Sequence, residues 1–210
     1  IAYNLFDVDY GIYKRSVSLG LIGKNKSKVK LLKQIIADYS ASSYYDNSLY
    51  DLAKYYKNTQ QNDLAIKYYD DLLIATKDEN LIADAYLSKG MIYFNSSKTN
   101  KAIVEFLFVV NNYQQTIYFK EAISGLQAAY SSLAQIDKYL AVIEGLPSVS
   151  ISRAEQDSLT YNAAFMKFSE LEYKVAKKAF DKYLSTFENG IFVNDATYYN
   201  AISAVKINDS

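Results

Sequence analysis

The sequence predicts an all-α fold, an array of helical hairpins with about eleven helices and no β-sheet. Three observations support this prediction. Similar residues recur every 37 positions along the chain, apolar residues within each repeat follow helical spacing, and polar segments recur where turns are needed. A fixed period of about 20 to 50 residues is typical of repeat arrays, in which each unit packs on its neighbours.

Two apolar columns define the 37-residue period most clearly. All ten of their positions are apolar or aromatic in a chain that is 50% hydrophobic. Chance would give this result roughly once in a thousand for a fixed register. The first column contains Leu32, Tyr69, Phe106, Ile143 and Phe180, and the second contains Ile35, Leu72, Val109, Leu146 and Tyr183. A third column, of small residues at the helix crossing, contains Ala65, Ala102 and Ala176 but is interrupted by Tyr139.

Each repeat is predicted to form two helices joined by a polar turn. In the unit at 83–119, both helices show the i, i+4, i+7 spacing of a single helical face. The spaced residues are Tyr86, Gly90 and Tyr93 in the first helix and Ala102, Phe106 and Val109 in the second. The prediction is one array over residues 1–210, with hairpins at 9–45, 46–82, 83–119, 120–156 and 157–193 and a further helix at about 194–206.

Several residues predict where individual helices begin and end. Asp63, Asn100 and Asp137 share one column before the second helices, and we expect them to be N-caps. Ser152 and Glu155 have the spacing of a capping box. Another feature, the segment Gly145-Leu146-Pro147, predicts an early end of one second helix. In that same unit Gln127 replaces a small residue, so we expect the array to bend or loosen there.

The pattern resembles the tetratricopeptide repeat, in which aromatic and small residues alternate at these spacings. Leu49, Ala53, Tyr56, Ala65 and Tyr69 follow it, as do the residues of the unit at 83–119. Ala164, Ala176 and Phe180 match part of it, with Lys167 in an aromatic position. The resemblance implies a right-handed superhelical α-solenoid with a concave binding surface. The usual period of this family is about 34 residues, shorter than the period here. Because the spacing within each hairpin is preserved, the extra residues must lie between one hairpin and the next.

The junctions between hairpins show a second resemblance. Segments 39–44, 113–118 and 187–192 each begin and end with an aromatic residue. They resemble the aromatic-Pro-x-Ser/Gly-x-aromatic junction of bacterial envelope proteins of the outer-membrane-assembly lipoprotein and Tol-Pal-associated type, although all three lack the proline. The resemblance implies a periplasmic or outer-membrane-associated protein, with a cytoplasmic location as the alternative. Because the chain starts at Ile1, we expect it to be a fragment of a longer protein.

Composition excludes several classes of function. The chain has no His and no Cys, so Ser-His-Asp and Cys-His catalytic arrangements are excluded. Its formal net charge of zero lacks the basic footprint of a nucleic-acid-binding protein. No apolar run approaches the ~18 residues of a transmembrane helix. We expect no metal, no cofactor and no enzymatic activity; an enzyme with an unrecognised carboxylate site is a further hypothesis.

Three kinds of charged or glycine-containing segment are candidate sites. The acidic pairs Asp7/Asp9 and Asp70/Asp71 are predicted to be solvated, since neighbouring helical residues point in different directions. The segment 20–24 has glycines too close together for a phosphate loop and is predicted to be a turn. A basic cluster is predicted to be a solvated face, with contact to an anion or lipid headgroup as the alternative. It comprises Lys24, Lys26, Lys28, Lys30 and Lys33.

The remaining prediction concerns binding. Tyrosines in the core columns, such as Tyr56 and Tyr183, are expected to be buried, whereas other first-helix residues fall where the family faces its concave groove. The predicted partner-binding residues are Tyr50, Lys54, Leu87, Met91, Phe94, Tyr161, Phe165 and Phe168. The alternative is that packing against the next hairpin hides them. The function expected is a non-enzymatic scaffold for a peptide or protein partner, with binding of a glycan or cell-wall polymer as the alternative.

Overall fold

A computed structural model describes residues 8–208, and within this range the chain forms eleven α-helices and no strand, as the sequence predicts. Pairs of consecutive helices form five hairpins, and the last helix follows them. The helices are α1 (Val8–Leu21), α2 (Asn25–Asp38), α3 (Tyr45–Asn58), α4 (Asn62–Ala75), α5 (Glu79–Asn95), α6 (Thr99–Asn112), α7 (Phe119–Ser132), α8 (Ile136–Glu144), α9 (Arg153–Ser169), α10 (Tyr173–Thr186) and α11 (Val193–Asn208). The protein is an α-solenoid of helical hairpins.

The second helix of each hairpin keeps the 37-residue register, and its apolar columns form the core. All ten residues of the two predicted columns are at most 6% exposed. The small-residue column is equally buried, with Ala65, Ala102 and Ala176 at 0% exposure. The predicted core is therefore confirmed, because the predicted positions of both columns are buried in every hairpin.

The turns inside the five hairpins share one backbone design, a Schellman motif. Each first helix ends with a residue of positive φ whose successor donates its N–H to a carbonyl five residues earlier. In the third turn, for example, Lys98 N–H donates to the Tyr93 carbonyl at 2.8 Å. The positive-φ residues are Gly23, Gln60, Ser97, Ala134 and Leu171, spaced by 37. Only the first is glycine, so the other four turns hold L-residues in the left-handed region.

This turn design explains why the predicted caps of the second helices are wrong. Asp63, Asn100 and Asp137 lie inside the first turns of α4, α6 and α8, not at their N-caps. The cap position is the residue that closes the Schellman turn, such as Gln61, and its side chain makes no capping bond. By contrast, the capping box of Ser152 and Glu155 at the start of α9 is confirmed.

The junctions between hairpins follow a period of 74 residues. The aromatic junctions 39–44, 113–118 and 187–192 precede first helices α3, α7 and α11. The first helices between them, α5 and α9, begin three residues earlier in the register and have 17 residues where α3 and α7 have 14. Each is capped by a side chain, Asp78 in one case and Ser152 in the other. Two hairpins therefore make up the full structural repeat.

The hairpin of α7 and α8 departs from the pattern, as expected. Helix α8 has nine residues and ends at Glu144, directly before the Gly-Leu-Pro segment. Next to it, α8, α9 and α10 border a cleft of about 250 Å³ whose lining includes Ala141, Ala163 and Ala179. The expected loosening thus takes the form of a cleft lined by small side chains together with charged ones such as Asp137 and Lys182.

The array curves toward its first helices. Consecutive first helices from α3 to α11 contact one another directly, while consecutive second helices meet less closely. The shorter spacing places α3, α5, α7, α9 and α11 on the inside of the curve. We call the surface that they form the first-helix side.

Candidate functional site

The predicted binding residues lie on the first helices, but the structure divides them by exposure. Leu87 is 2% exposed and Tyr161 is 7% exposed, so neither offers a binding surface, and the prediction for these two is corrected. Lys54 is exposed. The others are partly buried: Tyr50, Met91, Phe94, Phe165 and Phe168.

One register position explains the two buried residues. The column that contains Tyr50, Leu87, Tyr161 and Tyr198 points toward the following first helix. Tyr161, for instance, stacks on Phe192 at the start of α11, with ring centroids 4.4 Å apart. Tyr198 occupies the same position on α11, after which no further described helix follows, and it is 62% exposed. Packing between hairpins therefore buries Leu87 and Tyr161, whereas Ser124, at the same position of α7, remains exposed.

A polar network joins α3 and α5 on the first-helix side. The Tyr50 hydroxyl donates to one oxygen of the Asp84 carboxylate, and the Ser88 hydroxyl donates to the other at 3.0 Å. Ser88 in turn accepts from the Lys57 ammonium at 2.9 Å. The Tyr118 phenol, at the start of α7, interacts with both Tyr50 and Asp84. We call these five residues the Tyr50–Asp84 network.

The network keeps its tyrosines protonated. Burial, followed by the hydrogen bond to Asp84, raises the pKa of Tyr50 above its ordinary value. Burial and the Asp84 charge likewise raise the pKa of Tyr118. Both phenols are protonated at neutral pH in any case, and the raised pKa keeps them hydrogen-bond donors further into the alkaline range. Because the groups sit on packed helices, their positions are fixed before any partner arrives.

Lys54 places a positive charge at the edge of this network. Its ammonium lies 3.3 Å from the Tyr50 hydroxyl oxygen and 4.8 Å from the centroid of the same ring. The contact holds the charge over the ring by cation–π attraction. Since Lys54 is exposed, its remaining N–H donors face solvent.

Apolar surface continues from the network along α5. Met91 and Phe94 pack partly on the core cluster formed by α5, α6 and α7. Each is partly exposed. The network and these two side chains together present a carboxylate, phenols, an ammonium and apolar surface on adjacent helices.

The C-terminal predicted residues form a different arrangement, an internal aromatic layer between α9, α10 and α11. Phe165 meets Tyr199 edge to face at 4.9 Å. Phe168 contacts both Tyr199, at 4.8 Å, and Tyr173, at 5.5 Å. Most of these ring surfaces already face one another, so this layer holds the end of the array together.

Other buried charges serve the fold. Asp157, which is 5% exposed, accepts from the Tyr183 hydroxyl at 2.5 Å and from the Ile191 N–H at 2.7 Å. These bonds tie the last junction to α9 and α10. Buried Lys89 pairs with Asp70 at 2.7 Å and Glu105 at 3.3 Å. Burial opposes the charge on Lys89, but its two carboxylate partners raise its pKa overall.

The acidic pairs do not form a joint site. Asp70 pairs with Lys89, while Asp71 pairs with Lys67 at 2.8 Å on the same helix. In the other pair, Asp7 lies outside the described residues. No group of three or more acidic side chains that could hold a metal ion occurs within 8–208. Within the same range, none of the helices has the length and apolar character needed to cross a bilayer.

Four residues of the network were not predicted from the sequence: Lys57, Asp84, Ser88 and Tyr118. Asp84 was detectable in part, because its register position also holds polar residues in α3 and α7, Asn47 and Glu121. Its pairing with Tyr50 was not detectable, since the contact joins two different hairpins.

The chain was also compared with known proteins. No protein-family model matches it, and a search of curated proteins gives no match.

Proposed function

We propose that the protein is a non-enzymatic scaffold that binds a peptide or protein segment on its first-helix side, centred on the Tyr50–Asp84 network, Lys54, Met91 and Phe94. The observation that supports this most is the combination of partly exposed polar and apolar groups on three packed helices. A partner's carboxylate can pair with Lys54, and its apolar side chains can cover Met91 and Phe94. The junction resemblance favours an assembly of the bacterial envelope as the setting.

The geometry gives less support to binding of a glycan. Sugar recognition by stacking needs an open aromatic face, and the Tyr50 ring carries the Lys54 ammonium over one face. The rings of Tyr161, Phe165 and Phe168 are engaged with neighbouring rings. A peptide gains from both the charge and the half-buried apolar surface, so it is the partner we favour.

The first experiment identifies the partner by site-specific photo-crosslinking. A photoreactive residue at position 91, on the proposed site, is compared with one at position 174, on the exposed face of α10. We expect a protein to be captured from the source cell at position 91 and not at 174. Equal capture at both positions would contradict the proposed location, and capture of a polysaccharide would favour the glycan alternative.

The second experiment measures the affinity of the captured partner for charge-reversal variants. Lys54→Glu is expected to weaken binding at least about fivefold, since it places a carboxylate where the partner's carboxylate lies. Lys174→Glu makes the same charge change away from the site and should bind as the wild type does. Leu87→Ser is unsuitable as a test because Leu87 is buried and its loss would destabilise the core. Unchanged affinity of Lys54→Glu would overturn the proposed site.

A further inference from the structure

The turn between α1 and α2 exposes two large apolar side chains. Leu21 is 84% exposed and Ile22 is 65% exposed. The same two positions in the other hairpin turns are Asn58-Thr59, Asn95-Ser96, Ser132-Leu133 and Ser169-Glu170. Of these residues only Leu133 is apolar, and it packs against the core. The first turn alone among the five therefore offers solvent an adjacent pair of aliphatic side chains.

The same hairpin carries the strongest charge asymmetry in the chain. Residues 10–37 contain seven of the 23 basic residues and none of the 23 acidic residues. The first turn of α2 has no acidic side chain to balance its N-terminal dipole. The exposed apolar pair is thus surrounded by positive potential although the whole chain is neutral.

The lysines of this segment, Lys24 at the N-cap of α2 and those within α2, differ in their surroundings. Lys28 turns inward, where its chain packs over Gly20 and its ammonium pairs with Asp51 at 3.3 Å. Lys24, Lys26 and Lys30 are exposed and form no ion pair with any residue in 8–208. Lys26 and Lys30 are four residues apart, so they share one face of the helix.

We propose that this turn docks the protein on an anionic lipid surface, with Leu21 and Ile22 entering the boundary between headgroups and acyl chains. Lys24, Lys26 and Lys30 would contact lipid phosphates around them. Aliphatic side chains gain from leaving water at this depth, while flexible lysine stems keep their ammonium groups at headgroup level. An acidic protein or a nucleic acid would be attracted by the lysines, but it would leave the exposed aliphatic pair without a role. The lipid surface accounts for both features.

This contact is separate from the proposed partner site. It uses none of the residues of the Tyr50–Asp84 network, and it lies at the edge of the array where the hairpin turns are found. The two proposals can therefore fail independently.

Tryptophan fluorescence gives a direct test, because these 210 residues contain no Trp. Leu21→Trp reports on the turn, and Ile74→Trp is the control at a site that is 87% exposed and lies near Asp70 and Asp78. The probe is vesicles of phosphatidylcholine with about 30% phosphatidylglycerol, compared with phosphatidylcholine alone. We expect the emission of the Leu21→Trp variant to shift to the blue with the anionic vesicles only. A shift at position 74 as large as at 21, or none at 21, would overturn the proposal.

Vesicle co-sedimentation of the full chain separates the two contributions. Lys24→Gln, Lys26→Gln and Lys30→Gln together are expected to weaken partitioning roughly 100-fold, at about fivefold per lysine. The matched control changes Lys138, Lys174 and Lys178, which are also exposed, to Gln and should partition as the wild type does. Leu21→Ser with Ile22→Ser should lose at least about tenfold, and Ile74→Ser with Val104→Ser should not. If the lysine variant loses binding while the Leu21/Ile22 variant retains it, the patch is a general anion site and the lipid proposal is wrong.

Discussion

The hairpins α5–α6 and α7–α8 are neighbours in the array, but their two helices cross over different residues. In α5–α6 the crossing uses Gly90 and Ala102, and the Phe106 ring fills the space beside them. In α7–α8 the equivalent positions hold Gln127 and Tyr139, whose side chains meet in a hydrogen bond of 3.3 Å. Gln127 and Tyr139, which both depart from the sequence pattern, therefore compensate one another. The two helices of a hairpin can cross closely over small residues or more widely over large ones, provided that both residues change together.

The difference between the two hairpins also concerns the proposed binding site. The Tyr50–Asp84 network spans α3, α5 and the start of α7, beside the closely packed hairpin. The cleft lies on the other side of the wide hairpin, where α8, α9 and α10 meet. The close packing of α5 on α6 supports the network and keeps its donors and charges positioned.

The largest expected effect is at the close crossing. Ala102→Leu adds three heavy atoms to a position with 0% exposure and should lower the free energy of unfolding by about 2–3 kcal/mol. Tyr139→Leu, in the same column of the wide hairpin, should cost only about 1 kcal/mol, since the position already accepts a larger side chain. Urea unfolding followed by circular dichroism measures both. Equal costs would show that the two crossings are not different.

A second test concerns the glycine that faces Phe106. A Cβ at Gly90 would lie 2.5 Å from a carbon of that ring, and on the other side a Cβ at Gly125 would lie 2.8 Å from it. The ring has no free direction in which to move, so we expect Gly90→Ala to destabilise the protein by about 1–2 kcal/mol despite the better helix propensity of alanine. At Gly11, which has no atom within 4 Å of an added Cβ, the same change should stabilise by up to about 1 kcal/mol. A gain in stability at position 90 would contradict the packing described.

The wide crossing can be tested by a double-mutant cycle. Gln127→Ala, Tyr139→Phe and the double variant isolate the hydrogen bond between the two side chains. We expect a coupling free energy of about 0.5–1 kcal/mol, the range for a partly buried neutral pair. Additive single effects would mean that the two exceptions arose separately and do not compensate one another.

The smallest effects are expected in the turns, where the two hairpins are alike. Ser97 and Ala134 both have positive φ, at 57° and 52°. Replacing either by Gly removes backbone strain but increases the entropy of the unfolded chain, so each should stabilise by only a few tenths of a kcal/mol. The two gains should match. A clear difference between them in thermal melting would show that the turns are strained unequally.

Much of the fold could be predicted from the sequence because each hairpin repeats the same spacing of apolar residues. The columns of Phe106 and Val109 are set by helical spacing within a unit, and spacing is a property of the sequence. The early end of α8 was also predictable, since proline acts locally. The caps were not, because the residue that closes each Schellman turn is itself the N-cap of the next helix, as Gln61 is for α4, which places the polar column inside the helix.

The site was less predictable because its contacts cross from one hairpin to the next. Whether Leu87 faces solvent or a neighbour depends on the angle between successive hairpins, and the pattern of one unit does not contain that angle. Lys54 and Leu87 both lie beside the core stripe of their helices, yet one is exposed and the other is buried. The Tyr50–Asp84 pairing depends on the same angle.

The most direct test of the central claim, that a close crossing and a wide crossing in one register each depend on compensating residues, is the same substitution at two buried alanines. Ala102 lies at the close crossing. Ala163 is 4% exposed and lines the cleft. The equivalent positions of two other hairpins hold larger residues, Leu52 and Leu126. Denaturant unfolding of Ala102→Leu and Ala163→Leu should give opposite signs, a loss of about 2–3 kcal/mol at 102 and a gain of up to about 1 kcal/mol at 163 as the cleft fills. Destabilisation of similar size at both positions would contradict the account.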